Sequence, residues 1–165
     1  MSLDSFNALP EAAAVQRLLD CCAAPRWAGE VAAGRPYPSV EALQAAARHA
    51  LTDADVTAGL AGHPRIGDRT GDERSRREQR GVAGADADLL AALAAGNRAY
   101  EQRFGHVYLV CASGRRAGEL LDTLHGRLDN DPATERGVVR AELAAINRLR
   151  LERLLGELTP TGAVR

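Results

Sequence analysis

The stretch "AGHPRIGDRT", residues 61–70, sets a histidine at the point where an alanine-rich helical pattern stops. His63 is followed by Pro64, then Arg65, Ile66 and Gly67. An imidazole with an unperturbed pKa of about 6.5 takes up and releases a proton near neutral pH. Pro64 fixes its own φ and stiffens the turn. Two readings are open: a helix terminus with an incidental histidine, or an acid–base group held on a rigid loop.

Farther along, "SRREQRG" (75–81) brings Ser75, Glu78 and Gln79 together. Ser75 and Glu78 fit the S-x-x-E capping box, in which each side chain satisfies the other's backbone donor at a helix start. The same residues present a carboxylate and an amide side by side, Glu78 and Gln79. That pair of acceptor and donor suits a neutral ligand with ureido or imide groups. A further anomaly lies near the C-terminus. Val139, Leu143, Ile146, Arg150 and Leu154 share one face at helical spacing. Arg150 keeps its charge, so on that face it needs an anion or a route to solvent. A guanidinium that snorkels outward or pairs internally answers this need, and so does one that binds a ligand. On the central pattern Leu90, Leu93, Asn97, Tyr100 and Phe104 share a face. Asn97 there reads as the partner of a backbone break or of a neighbouring helix end.

The elements that must hold these residues are helices. "LPEAAAVQRLLDCCA" has Pro10 near a first turn, with Val15, Leu18, Leu19 and Cys22 on one side. "PRWAGEVAAGRPY" is a short helix ending at Gly34 and Pro36. "PSVEALQAAARHAL" opens with Ser39 as N-cap, and "TDADVTAGLAGHP" runs from Thr52 or Asp53 to Gly62–Pro64. A long helix, "DADLLAALAAGNRAYEQRF", stops at Gly105. "HVYLVCAS" is the one run that is β-like by local propensity; without a partner strand it is a buried extended connection or a short helix. "RRAGELLDTLHGRL" and "PATERGVVRAELAAINRLRLERLLGEL" are the last two helices, the second with Pro132 in its first turn.

Composition narrows the function classes. The 165 residues are 45% hydrophobic, which suits one globular domain with a core. Aromatics are only 4% and the net charge is −1, so neither stacking platforms nor a basic nucleic-acid footprint is present. No run approaches a membrane span, and "MSLDSFNALPEAAAV" lacks the basic region of a signal peptide. Cys21, Cys22 and Cys111 make a poor disulfide framework, which favours a reducing compartment. His49, His63, His106 and His125 lack metal-ligand spacing, and phosphate-loop and dinucleotide fingerprints are missing.

Taken together, "FNALPEAAAVQRLLDCCA", "HPRIG", "SRREQRG", "NRAYEQRFGHVYLVCASGR" and "LLDTLHGRLDNDPATERGVVRAELAAINRLRLERL" resemble the 2-oxo-4-hydroxy-4-carboxy-5-ureidoimidazoline (OHCU) decarboxylases, in order and over nearly the whole chain. The resemblance implies an all-α, single-domain multi-helix bundle over residues 1–158, with a flexible tail at 159–165. It implies decarboxylation of OHCU to (S)-allantoin, the last step of urate oxidation. It further implies a small-molecule substrate, no metal or organic cofactor, a cytoplasmic location and a homodimer. Carried over position by position, the essential histidine falls on His63, with Glu78 as the second catalytic group. Substrate-binding positions fall on Pro64, Ser75, Gln79 and Arg150, with a backbone contact near Val110. The chain departs from the family pattern at "HVY", where relatives carry an aromatic-proline-aromatic run, so His106 enters a usually apolar pocket wall. Two other classes compete. A non-enzymatic helical interaction domain would use the same residues as caps and ion pairs. The same fold acting on a related ureido or imidazoline acid would keep the site and change the substrate.

Overall fold

The computed structural model describes residues 1–67 and 73–156, apart from the side chain of Ser75. Among these the regular structure is all helix: α1 (Leu3–Asn7), α2 (Glu11–Cys21), α3 (Pro25–Ala33), α4 (Val40–His49), α5 (Asp53–Leu60), α6 (Glu73–Glu78), α7 (Ala87–Phe104), α8 (Ala117–Leu128) and α9 (Pro132–Leu154). The all-α expectation holds. The chain forms two compact units, one of residues 1–59 with 144 onward, the other of residues 60–143. The tail expected at 159–165 lies outside the described residues.

In the first unit, Phe6, Leu18, Trp27, Leu43 and Leu151 are fully buried. Helix α1 escaped the sequence reading because five residues show little periodicity; Ser2 starts it by accepting the Ser5 N–H at 3.1 Å. Pro10 stands at the N-cap of α2, one residue outside the helix. The face that α2 buries is Ala14, Leu18 and Cys21, while Val15 and Leu19 are half-buried. Ser39 caps α4 as expected, accepting the Ala42 N–H at 3.2 Å. Trp27 donates its indole N–H to the Ala47 carbonyl at 2.7 Å, which satisfies its one polar atom in a buried position. Arg35 donates to the carbonyls of Phe6 and Leu9, at 2.9 and 2.8 Å, and so holds the chain between α1 and α2.

In the second unit α7 packs on α8. Asp86 caps α7 through the Leu89 N–H at 2.8 Å, and Gly105 ends it in the left-handed region, φ 76°. Gly96 permits the close approach of α8, since a Cβ there would lie 2.8 Å from the Leu124 side chain. The run "HVYLVCAS" is neither helix nor paired strand but a connection that buries Tyr108, Leu109, Val110 and Ala112. Leu93, Tyr100, Tyr108, Val110, Leu120 and Leu124 share one apolar cluster.

An ion pair lies inside that cluster's polar flank. Arg127 and Glu135 are 6% and 1% exposed at their side chains. Arg127 Nε donates to Glu135 Oε1 at 2.8 Å, Tyr100 donates its hydroxyl to the same oxygen, and Asn130 Nδ2 donates to Oε2 at 2.7 Å. The Arg127 guanidinium also lies 4.9 Å from the Tyr108 ring centroid. Burial disfavours the Glu135 charge, yet the bonds from Arg127, Tyr100 and Asn130 win and hold its carboxyl below the usual range. Burial pushes Tyr108 up to about 12 and raises Tyr100 still further.

These shifts set a sign. A carboxyl depressed in the folded state contributes stability above the ordinary carboxylate range near pH ~4, and that stability is lost as pH falls through the depressed native value. Urea denaturation should therefore show a midpoint that is flat near neutral pH and falls below about pH 4. Glu135→Gln leaves Arg127 buried without its counter-charge and should cost about 3–5 kcal/mol at pH 7, with a much weaker acid dependence. An unchanged midpoint in that variant would show that the pair does not hold the second unit together.

Candidate active site

His63 lies just past α5, where its N–H donates to the Leu60 carbonyl at 3.1 Å and closes a turn. The helix ends there because Gly62 and Pro64 flank the histidine. Both His63 and Pro64 are half-buried. The three residues that follow are each tied down. The Arg65 guanidinium meets the Glu101 carboxylate on α7, Nη2 to Oε2 at 2.6 Å, and its carbonyl accepts from Gln79 Nε2 at 3.3 Å. Ile66 is buried, and its carbonyl accepts from Asn97 Nδ2 at 2.8 Å. The Gly67 N–H donates to Gln79 Oε1 at 2.8 Å, in a left-handed conformation with φ 87° that suits glycine. The bond from Arg65 and its charge hold the Glu101 carboxyl below its ordinary value. The turn that ends α5 is thus followed by three residues anchored in succession.

Asn97 plays the structural part expected of it, satisfying a backbone break from the face of α7. Gln79 has a structural part of its own. Both ends of its amide are engaged by the turn, Oε1 by Gly67 and Nε2 by Arg65, so it braces the turn that carries His63.

Helix α6 corrects the capping-box reading. It runs Glu73–Glu78, so Ser75 is its third residue and Glu78 its last. A capping box requires the serine to precede the helix and the glutamate to lie in its first turn. Glu78 stands instead at the helix C-terminus, half-buried, where the local dipole does not favour a carboxylate. The Ser75 side chain lies outside the described residues. Gly81, the last residue of "SRREQRG", is where the backbone comes close: a Cβ would sit 1.9 Å from the Arg115 carbonyl oxygen.

Val110 is 3% exposed in the connection between α7 and α8. Its neighbour Cys111 reports on the surroundings. Burial pushes the Cys111 thiol up, and the charges of Glu142 and Glu78 push it further. The Glu78 charge thus reaches the Cys111 thiol, and the next residue, Gln79, braces the His63 turn. His106 does not stand alone in that region. It stacks on Phe104 and meets Tyr100 edge-on, with ring centroids 6.3 and 5.6 Å apart.

Arg150 belongs to the first unit, on the C-terminal half of α9. Its Nη1 donates to the Cys21 carbonyl at 2.9 Å, among the last carbonyls of α2. A cation is favoured there by the helix dipole. Burial raises the Cys22 thiol on balance, and the Arg150 charge offsets part of that rise. The buried stripe of α9 runs through Val139, Leu143, Ile146 and Leu151; Leu154 is only half-buried, and Asn147 joins the buried face at 2% exposure. Among the described residues no group of three His, Cys, Asp or Glu side chains is placed to hold a metal ion, and no helix is long and apolar enough to cross a membrane.

The family model described as OHCU decarboxylase matches residues 7–152 of the chain. The "2-oxo-4-hydroxy-4-carboxy-5-ureidoimidazoline decarboxylase" of Amia calva is 31% identical over 142 residues, covering 79% of this chain and 81% of that protein. The "Uric acid degradation bifunctional protein TTL" of Arabidopsis thaliana is 30% identical over 148 residues, covering 83% of this chain but only 46% of that protein. The chain thus spans about half the length of that bifunctional relative. Among solved structures, an OHCU decarboxylase crystallised in the presence of (S)-allantoin aligns with a TM-score of 0.73 at 26% identity, covering 84% of this chain and 96% of that one. An (S)-allantoin synthase aligns at 0.71 with 16% identity, covering 93% and 54%, and supports the fold alone.

The anchoring of the His63 turn makes a prediction of its own. Asn97→Ala strands the buried Ile66 carbonyl and should lower stability by about 1–3 kcal/mol. Amide exchange should rise in residues 63–67 before it rises in the rest of the second unit. A loss of protection spread evenly over that unit would mean that Asn97 supports the core and not the turn.

Proposed function

The chain belongs to the OHCU decarboxylase family, and we propose that it is a carboxy-lyase that converts OHCU to (S)-allantoin in urate degradation. One observation carries the reading beyond family membership. The turn bearing His63 is anchored at three successive residues, and its Gln79 brace adjoins Glu78, in a chain whose match to the family spans residues 7–152.

The chemistry asks for few groups. The substrate carries a hydroxyl and a carboxylate on one ring carbon. The carbon–carboxylate bond breaks, carbon dioxide leaves, and the electron pair passes into the adjacent ring C=N group, whose nitrogen takes up a proton. The hydroxyl then gives up its proton as its carbon becomes a carbonyl, and the neighbouring ureido-bearing carbon takes a proton on one face. We assign His63 to the hydroxyl-bearing carbon, as base or hydrogen-bond partner. Glu78 holds ring or ureido N–H groups and polarises the hydroxyl. Arg150 anchors a carbonyl or the developing oxyanion. Val110 offers a backbone contact, Pro64 keeps the histidine turn stiff, and Ser75 and Gln79 serve the ureido arm, Gln79 chiefly by bracing the turn. The proposal extends to a single catalytic domain over 1–158 with a tail at 159–165, and to a cofactor-independent, cytoplasmic homodimer, on the strength of the family resemblance.

The test is circular dichroism at a wavelength where allantoin is optically active, with OHCU made in situ from urate by the two preceding enzymes. The wild-type chain should produce an (S)-allantoin signal rapidly, while the uncatalysed control decays to racemic product. His63→Asn should lower kcat by about 10²–10⁴-fold, the usual range for an acid–base group. Arg150→Lys keeps the charge and loses the fork, and should lower kcat/KM by at least about tenfold. A wild-type trace identical to the control would reject OHCU and move the weight to a related ureido acid.

A further inference from the structure

Buried peptide groups almost always have hydrogen-bond partners, and a buried segment without helix or strand pairing must find them elsewhere. In the connection at residues 107–112, Leu109 and Cys111 find them in side chains from two helices. Arg127 Nη1, from α8, donates to the Leu109 carbonyl at 2.7 Å. The Cys111 N–H donates to Glu142 Oε2, from α9, at 2.8 Å. Val110 lies between these two anchors at 3% exposure, and neither its N–H nor its carbonyl is bonded to any described residue. The alternation is that of an extended chain, in which the polar groups of residues i and i+2 point to one edge and those of residue i+1 to the other. Arg127 and Glu142 thus occupy one edge, and the opposite edge presents the donor and acceptor of Val110 as an unused pair.

We propose that Glu142, acting with Arg127, is a positioning residue that sets the Val110 peptide groups for a ligand edge carrying both an amide donor and a carbonyl acceptor, as a ureido or ring amide does. The proposal rests on the reading that this unit binds OHCU. It differs from that reading in naming what holds the backbone contact. Arg127 is already fixed by Glu135, so its bond to Leu109 starts from a rigid donor. Glu142 is the adjustable half of the bracket, since it is half-buried and its bond to Cys111 is a single carboxylate–amide contact. Its charge also bears on Cys111 together with that of Glu78, which puts the bracket beside the carboxylate assigned to catalysis. A shift of the segment by a fraction of an ångström would misplace the Val110 pair without unfolding anything.

Two readouts test this on the full chain. Hydrogen exchange followed by mass spectrometry reports the segment without any substrate. In Glu142→Ala, protection over 107–112 should fall while α7 and α8 stay protected; in Glu142→Gln, which keeps an acceptor oxygen, protection should be near wild type. Kinetics report the ligand. KM for OHCU should rise by about tenfold in Glu142→Ala, with kcat changed much less, and Glu142→Gln should restore most of it. Unaltered protection and KM in Glu142→Ala would overturn the proposal. So would a Glu142→Gln variant as impaired as Glu142→Ala, because that would assign Glu142 a role through its charge. If Glu142→Ala fails to fold, Glu142→Gln and Glu142→Asp decide between the same outcomes. Wild-type chain that leaves OHCU untouched, with the exchange pattern as expected, would sink the substrate and leave the bracket standing.

Discussion

Arg127 keeps its proton at any working pH, and Glu135 has almost no contact with solvent, so each needs the other. A buried pair of this kind is poor evidence of net stabilisation, because an apolar replacement often does as well. What it contributes is a fixed direction. The carboxylate takes Nε and one terminal nitrogen of Arg127, the Tyr100 hydroxyl and the Asn130 amide, which leaves Nη1 pointed at the Leu109 carbonyl. Through that bond, α8 and the start of α9 help set where the chain runs between α7 and α8. The rings of Tyr100 and Tyr108 pack against the same guanidinium, so apolar and polar constraints agree on its position.

The same device recurs across the second unit. Two of its irregular segments, the turn after His63 and the run around Val110, are tied by side chains projecting from helices. Asn97 and Glu101 of α7 hold the turn after His63, and Arg127 and Glu142 hold the residues on either side of Val110. Helices suit this purpose because their side chains radiate from a rigid axis at known spacing. Asn97 and Glu101 are four residues apart and so lie on one face of α7, one turn after the other. An all-α fold without sheet ladders has few other means of satisfying buried, irregular backbone.

Helix positions were legible in the sequence wherever caps and breakers were strong: Ser39, Asp86, Gly105 and Pro132 all mark ends close to where they fall. For "HVYLVCAS" β-branched and aromatic residues interrupt an alanine-rich chain, which left a buried extended connection or a short helix open; the structure shows the connection. Short α1 was not legible, since five residues carry no period. The S-x-x-E match misled because α6 starts two residues before Ser75; a four-residue pattern fixes spacing but not the helix start. The anomalous Asn97 and Arg150 were visible as polar residues on apolar stripes. Their partners were not, because Ile66 and Cys21 lie 31 and 129 residues away and contribute only carbonyls, which every residue has. Glu142 was invisible for the same reason: its partner is the N–H of Cys111.

Arg150 shows how far such a backbone contact reaches. The Cys21 carbonyl at 2.9 Å gives the Arg150 guanidinium a fixed direction. Placing the charge at the end of α2 adds the favourable pole of the helix, which lowers the cost of holding a half-buried cation. An oriented guanidinium at that pole is what the role proposed for Arg150 requires, since it would meet a substrate carboxylate and the negative charge that develops as carbon dioxide leaves.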